Sequence, residues 1–158
     1  MRGIEFEVVW LDQDVTELKV TCSNGPFRGA TKMYVVPDAL SMAAETLSGF
    51  PSGARDIRDV KLGALEPNSA GGGIRMSFRC VDSAGHAAVL VTVRPDESQV
   101  PEEPLSVCLY VPVEPYAIDV FVAKVRSMDR SIGAKAYLQM ADHNAEWVKR
   151  RFPNIAVG

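Results

Sequence analysis

Apolar side chains recur at every second position through most of the first two thirds of this chain, and this period of two constrains the fold most. The clearest example is residues 73–94, where two alternating stretches flank a turn at Asp82–Gly85. Such alternation is typical of strands with one buried face, and a short turn containing Gly joins antiparallel neighbours. The segment therefore predicts a long β-hairpin. Its inward-facing residues are Ile74, Met76, Phe78 and Cys80, followed by Ala87, Val89, Val91 and Val93.

The same pattern predicts strands before and after this hairpin. Residues 4–10 alternate, a turn follows, and residues 18–22 alternate again. Asn24-Gly25 is a strong turn signal because both residues tolerate positive φ, so residues 27–36 should form the return strand. Two further strands are expected, over 55–62 and 105–111.

Helical spacing replaces alternation in three places. Residues 38–48 follow Pro37 and end before Gly49, and residues 115–128 carry one apolar stripe with Pro115 in the first turn. A third helix is predicted over about 134–152, since an apolar stripe and a basic last turn precede Pro153. Residues 136–138 could form a strand instead.

Together these elements predict an α+β fold. We expect a mostly antiparallel sheet of about six to seven strands, a meander plus the long hairpin, with two to three helices packed on one face. No internal repeat is visible in the sequence. The length of 158 residues suits one domain over 1–158.

Composition narrows the class of protein. The chain is 47% apolar with a formal net charge of −3, and a mildly acidic domain argues against nucleic acid as the main partner. The N-terminus has no stretch typical of a signal peptide, and no run of about 18 apolar residues predicts a membrane span. We therefore expect a cytoplasmic protein without membrane attachment.

The cysteines also favour a reducing, cytoplasmic environment. Cys22, Cys80 and Cys108 are odd in number, widely spaced and placed within apolar or alternating runs. Free cysteines in such runs are usually small buried hydrophobic residues in a reducing compartment. We expect reduced, buried thiols.

No catalytic, metal or cofactor motif emerges from the chain. His86 and His143 are the only histidines, and no paired Cys or His spacing typical of zinc occurs. His86 follows the turn at Gly85, where it is expected to order the hairpin rather than to activate a nucleophile. Gly71-Gly72-Gly73 lacks the Lys-Ser/Thr of a phosphate loop and precedes a predicted strand, so it is interpreted as a flexible hinge. We expect a chain without catalytic residues or cofactors.

Aromatic and basic side chains outside the predicted core indicate a partner-binding surface. Trp147 lies off the apolar stripe of the last predicted helix, as does Tyr137, and basic residues follow Trp147. Exposed Trp, Tyr and Arg are the residues that dominate protein interfaces. The predicted partner-binding residues are Trp147, Tyr137, Arg75 and Arg79, while packing of Trp147 under a neighbouring loop is the alternative.

Several segments taken together resemble a known family. They are Asn24-Gly25 with Phe27 and Gly29, Gly49-Phe50-Pro51, Arg55-Asp56 with Arg58, and the runs 71–93 and 113–128. The ensemble, over about 4–129, resembles uncharacterised bacterial domains related to WapI-type immunity proteins, with 130–158 as a C-terminal helical extension outside it. The resemblance implies a cytoplasmic binding protein that neutralises a toxin domain, and it assigns no functional residues. An acidic chain is compatible with a basic toxin partner.

Two other functions stay open from the sequence. A homodimer could form through the last helix or an edge strand, and a small molecule could bind between sheet and helices. The second would require a pocket lined by ionisable groups with strongly shifted pKa values.

Overall fold

The computed structural model describes residues 1–66, 69–96, 106–128 and 131–156, and these contain eight strands and four helices. In chain order they are β1 (Gly3–Leu11), β2 (Thr16–Ser23), β3 (Arg28–Val35), α1 (Ala39–Leu47), β4 (Ile57–Gly63), β5 (Gly73–Cys80), β6 (Ala87–Arg94), β7 (Val107–Val113), α2 (Pro115–Met128), β8 (Lys135–Gln139), α3 (Glu146–Arg151) and α4 (Pro153–Ala156).

The strands form two antiparallel sheets rather than one. Sheet A has the order β3-β2-β1-β8, and sheet B has the order β4-β5-β6-β7. The α+β class and the antiparallel pairing are confirmed, as are the 73–94 hairpin and the helices near 38–48 and 115–128. Leu105, the first residue of one predicted strand, lies outside the described residues.

The chain contains a structural repeat that its sequence does not reveal. Residues 3–63 and 73–139 each run strand-strand-strand-helix-strand, and the last strand of each half pairs with the first strand of the other. β8 pairs with β1, and β4 pairs with β5. No repeat is visible in the sequence, as expected, because the two halves share a burial pattern rather than residue identities.

Pairing registers establish which residues of the two halves are equivalent. Phe6 lies opposite Val20 and Ala136, and Met76 lies opposite Val91 and Val60. The registers of β2–β3 and of β6–β7 likewise match Thr31 of β3 with Leu109 of β7. Continuing this alignment along the chain matches Met42 of α1 with Val120 of α2, and Ala43 with Phe121. Equivalent positions can thus be compared directly.

The core lies where the two helices meet the first strands of both halves. Phe6 of β1 and Phe121 of α2 pack edge to face with centroids 5.2 Å apart, and both are almost fully buried. Burying an aromatic side chain of this size stabilises the fold by about 1.5–3 kcal/mol. A small void at this junction is surrounded by Phe6, Ala43, Ala44, Leu47, Met76, Phe121, Val122 and Val125.

The predicted helix over 134–152 is wrong in its first half. Residues 135–139 form β8, and only 146–151 are helical. Ala136 and Leu138 are buried whereas Lys135, Tyr137 and Gln139 are exposed, which is a period of two. The segment predicted as a helical extension thus supplies a strand to sheet A.

The Gly71-Gly72-Gly73 segment is a close packing point, which corrects its interpretation as a flexible hinge. Gly72 N donates to Lys32 O at 3.0 Å, and a Cβ at Gly72 would overlap the Thr31 hydroxyl. Gly71 also has a φ of +80°, which favours glycine. The glycines let the β4–β5 connection approach strand β3.

The outer faces of the two sheets differ. On sheet B, Ala88 of β6 and Val148 of α3 are both fully buried, and Phe152 packs on Tyr110 of β7 with ring centroids 5.8 Å apart. The C-terminal segment therefore covers part of sheet B. The outer face of sheet A carries charged side chains such as Lys19 and Lys32, which are exposed.

Candidate functional site

A surface groove of about 280 Å³ runs along the junction of α2 and the edge strand β8. Large side chains line it without being buried: Tyr116 is 66% exposed and Val120 is 55% exposed. Monomeric surfaces leave single apolar residues exposed, so the informative feature is that several occur in one concave place. Its lining residues are Tyr116, Ala117, Val120, Lys124, Lys135, Tyr137 and Gln139.

The groove adjoins a wider cleft of about 470 Å³, with which it shares four lining residues. This cleft lies where α2 begins and the chain leaves β8. The residues that only the cleft contacts are Arg2, Glu114, Met140, Ala141, Asp142 and His143. The cleft therefore carries charges of both signs, whereas the charged residues that line only the groove are two lysines, Lys124 and Lys135.

Strand β8 presents an open edge beside this groove. In an antiparallel pair, alternate residues exchange hydrogen bonds with the neighbouring strand. Val8 N donates to Ala134 O at 3.0 Å and Met140 N donates to Arg2 O at 3.1 Å, so the even-numbered residues face β1. The backbone groups of Lys135, Tyr137 and Gln139 consequently face outward, and in the described part of the chain they form no backbone hydrogen bond there.

The edge closes immediately beyond β8. Ala141 N donates to Pro112 O of β7 at 2.8 Å, which joins the two sheets at that point. Toward Lys135 the strand has no such neighbour, because β8 is the last strand of sheet A. An open edge of this kind is a template for pairing with another chain.

Arg2 connects the cleft to the turn between β2 and β3. Its backbone oxygen accepts hydrogen bonds from the Tyr137 hydroxyl and from Met140 N. Its guanidinium lies above Gly25, where an added Cβ would be 3.3 Å from Nε. Nη1 of Arg2 is buried and has no hydrogen-bond partner in the described structure. Leaving a cationic N–H buried and unpaired costs free energy.

Burial raises the pKa of Tyr137, and the negative charge of Glu5 adds to this effect. The Tyr137 phenol is therefore a neutral donor near pH 7. Its bond to the Arg2 oxygen holds one side of the cleft in place.

The other wall of the cleft is a chain of polar and aromatic contacts. Trp147 of α3 donates from Nε1 to Glu114 Oε1 at 3.1 Å and stacks on the His86 ring, with centroids 4.5 Å apart. His86 Nδ1 is 2.6 Å from Asp82 Oδ2 in the β5–β6 turn. His86 thus orders the hairpin, as predicted, and its ring also packs against Trp147 of α3.

The predicted partner-binding residues lie in two different places. Tyr137 lines both the groove and the cleft, whereas Trp147 lines neither and contacts only Glu114 of the cleft. Trp147 is partly buried, so the packed alternative describes it better than free exposure. Arg75 and Arg79 are exposed on β5, away from the groove lining, and Arg75 is 3.3 Å from Asp59. Whether any of the four contacts a partner stays a prediction.

The cysteines differ in their surroundings. Cys22 is fully buried, which raises the pKa of its thiol to about 11, and Cys80 is partly buried with a raised pKa for the same reason. Cys108 is exposed on β7, so the expectation of burial is wrong for this residue. Its position alternates with Leu109, which places it on the outer face.

Sequence reasoning missed most of the groove. Arg2 and Gln139 belong to no motif, Tyr116 lies in the run 113–128 without being singled out, and Val120 could be assigned to the polar side of α2 only by its distance from the apolar stripe. Their proximity depends on β8 joining β1 across the whole chain. In the described ranges no cluster of three or more His, Cys, Asp or Glu side chains is arranged to hold a metal ion. No helix in those ranges has the length and apolar character that crossing a bilayer requires.

Comparison with family models, with curated proteins and with solved structures gives no match for this chain.

Proposed function

We propose that this chain is a non-catalytic protein-binding module that takes an extended segment of its partner into the groove between α2 and β8. The observation that carries the proposal is the open edge of β8, whose outward backbone groups lie beside exposed aromatic and apolar side chains. Strand addition at a free edge gives affinity through the main chain, and the pockets beside it give specificity.

The lysines of the groove favour one sign of charge in the bound segment. Lys124 and Lys135 line its narrow part, and Lys124 forms no ion pair within the described ranges. Lys135 is 3.9–4.0 Å from Glu5 and Glu7, a separation that leaves its charge available. An acidic or neutral segment is favoured here.

Hydrogen exchange of the free protein tests the open edge without any partner. The amides of Tyr137 and Gln139 should exchange at least about a hundredfold faster than those of Ala136 and Leu138, because only the latter pair with β1. Equal protection along β8 would contradict an open edge.

A matched pair of variants tests the groove itself. Val120 and Met42 occupy equivalent positions on α2 and α1, and both are largely exposed. Val120→Asp should abolish partner binding, whereas Met42→Asp should retain it and report any general effect of an added charge. Equal binding by both variants would exclude the groove.

The resemblance to immunity proteins narrows this proposal to a toxin domain as the partner. Co-expression with a toxin encoded beside the gene should restore growth, and Val120→Asp should remove the protection. Protection by both aspartate variants would place the interface elsewhere.

Pairing of two β8 edges would instead produce a homodimer. Sedimentation velocity separates the two cases: a constant sedimentation coefficient over a hundredfold concentration range supports a monomeric module. A concentration-dependent shift, accompanied by protection of the Tyr137 amide, would favour the dimer.

A further inference from the structure

We propose that the groove binds its polypeptide segment in one direction, antiparallel to β8, with an acidic side chain at the end where Lys124 and Lys135 lie. This inference rests on the proposed function and specifies how the sequence of the bound segment is arranged along the groove. It starts from a difference between the two ends of the groove, of which one is aromatic and the other basic.

The residues that the groove shares with the wider cleft identify its aromatic end. They come from the first turn of α2 and the later part of β8, and they are Tyr116, Ala117, Tyr137 and Gln139. Lys124 and Lys135 line the groove but not the cleft, and Lys135 is the first residue of β8. The two lysines, which come from different elements, therefore lie together at the opposite end.

The register of β8 determines the face on which each side chain of an added strand would lie. Phe6 lies directly opposite Ala136 and packs on Phe121 of α2, so Ala136 and Leu138 face the helix. Directly opposed residues of an antiparallel pair lie on the same face of the sheet. Residues of the added strand opposite Leu138 and Ala136 therefore project toward α2, and the residue opposite Lys135 projects to the outer face beside that lysine.

The antiparallel direction follows from the sheet to which the segment is added. All neighbouring strands of sheet A are antiparallel, and antiparallel pairing is slightly more stable per residue than parallel pairing. An antiparallel segment passes Gln139 first and Lys135 last. Its expected sequence is apolar, any residue, apolar, acidic, because the apolar residues lie opposite Leu138 and Ala136 and the acidic residue lies opposite Lys135.

The charges of the two lysines are available to this acidic residue. Lys124 forms no ion pair within the described ranges. The Lys135 side chain is 54% exposed, and Glu5 and Glu7 lie 4.0 and 3.9 Å from its Nζ. Opposite charges directly across two strands stabilise their pairing, whereas like charges destabilise it. Reversing one of the lysine charges should therefore weaken binding of an acidic segment by about 2- to 30-fold.

A library of displayed peptides randomised over about eight residues tests the inference on the full chain. Peptides that also bind Val120→Asp are removed, because they do not need the groove. Among the remaining peptides, Asp or Glu should be enriched directly after two alternating apolar residues. Enrichment of the acidic residue before the apolar pair would overturn the antiparallel direction.

Charge-reversal variants test the two lysines with a peptide selected in this way. Lys135→Glu and Lys124→Glu should each weaken its binding by about 2- to 30-fold, and selection on Lys135→Glu should replace the acidic residue by Lys or Arg. Lys32→Glu is the matched control, because Lys32 is exposed on β3 at the other edge of sheet A. Equal weakening in all three variants would overturn the inference, since net charge alone would then explain the effect.

The outcomes distinguish the inference from the function on which it rests. Peptides that bind the Val120-dependent groove without a preferred acidic position would overturn the inference and leave the protein-binding module intact. No bound peptide on a folded protein would overturn both. If Lys135→Glu fails to fold, an unchanged affinity of Lys124→Glu would by itself overturn the inference.

Discussion

The two halves of this molecule use the same helix and final strand differently. In the first half, Arg58 of β4 donates to Thr46 O and Ser48 O at the end of α1 and pairs with Asp56 at 2.8 Å. The equivalent position in the second half is Ala134, which has no side chain able to reach α2. In the first half an arginine of the last strand is hydrogen-bonded to the end of the helix, whereas in the second half a groove lies beside the helix.

The difference shows that equivalent corners of a repeated architecture can present different surfaces. Both β4 and β8 are edge strands, but β4 exposes Asp59 and Lys61, charges of the kind that protect an edge from pairing. At the corresponding places β8 exposes Lys135 and Tyr137, so it keeps one of the two charges and replaces the other with an aromatic ring. The two corners therefore differ in the arginine that joins β4 to α1 and in the edge position that is Lys61 in one half and Tyr137 in the other.

The largest expected effect concerns the junction that both halves share. Phe121→Ala should reduce the free energy of unfolding by about 3–5 kcal/mol, because it removes the ring that packs on Phe6 and leaves a cavity. Urea denaturation measures this loss. Val120→Ala, on the exposed side of the same helix, should change stability by less than about 0.5 kcal/mol.

Removing the arginine that joins β4 to α1 should have the next largest effect. Arg58→Ala should cost about 1.5–3 kcal/mol, since the hydrogen bonds of a largely buried guanidinium are lost. Arg75→Ala is the matched control: its exposed pair with Asp59 should contribute less than about 1 kcal/mol. Similar losses in both variants would contradict this role of Arg58.

The hydrogen bonds of Arg58 to Asp56 should also make the stability of the fold depend on pH. Hydrogen bonding from Arg58 lowers the pKa of Asp56 to about 2, with help from Ser52 N. The folded-state pKa lies below the ordinary value of 3.8, so this stabilisation is present above about pH 4 and is lost as the pH falls toward 2. NMR titration should find a higher Asp56 pKa in Arg58→Ala, still below the ordinary value because Ser52 keeps its hydrogen bonds, and an unchanged pKa would contradict this cause.

A smaller effect distinguishes the covered sheet from the open one. Trp147→Phe retains an aromatic ring for His86 but loses the hydrogen bond to Glu114, and it should cost about 1 kcal/mol. Trp10→Phe, at a position 44% exposed on sheet A, should be nearly neutral. Thermal unfolding compares them, and a neutral Trp147→Phe would show that α3 is held by other contacts.

The last prediction concerns the reactivity of the cysteines and involves no change in stability. Cys108 should react with iodoacetamide in the folded protein, whereas Cys22, buried and with a pKa of about 11, should react only after unfolding. Peptide mapping by mass spectrometry reads out both sites. Early labelling of Cys22 would indicate local opening of sheet A.

The sequence predicts local elements well and their assembly poorly. The period of two correctly predicts the 73–94 hairpin, and Pro115 with one apolar stripe correctly predicts α2. Strand β8 is too short for its alternation to outweigh the helical spacing that surrounds it. Its pairing with β1 depends on contacts between residues 128 to 136 positions apart, which no local pattern encodes.

The groove was harder to predict than the fold for the same reason. Tyr137 could be singled out as an aromatic residue off a stripe, but Arg2 and Tyr116 carry no signal until β8 brings them together. The structural repeat is equally invisible, because equivalent positions differ in identity, as Ala43 and Phe121 do. Burial is shared between the halves, whereas residue types are not.

The exchange of final strands has a consequence for how the chain is made on the ribosome. Synthesis delivers β1 first and β8 last, so sheet A must wait for almost the entire chain before its fourth strand arrives. Sheet B can assemble earlier, because β4 to β7 are contiguous in the chain. Domains are synthesised at about 5–20 residues per second, so β1 would remain unpaired on one edge for several seconds. A nascent chain arrested before residue 135 should therefore expose that edge of β1 and be captured by chaperones that bind extended segments.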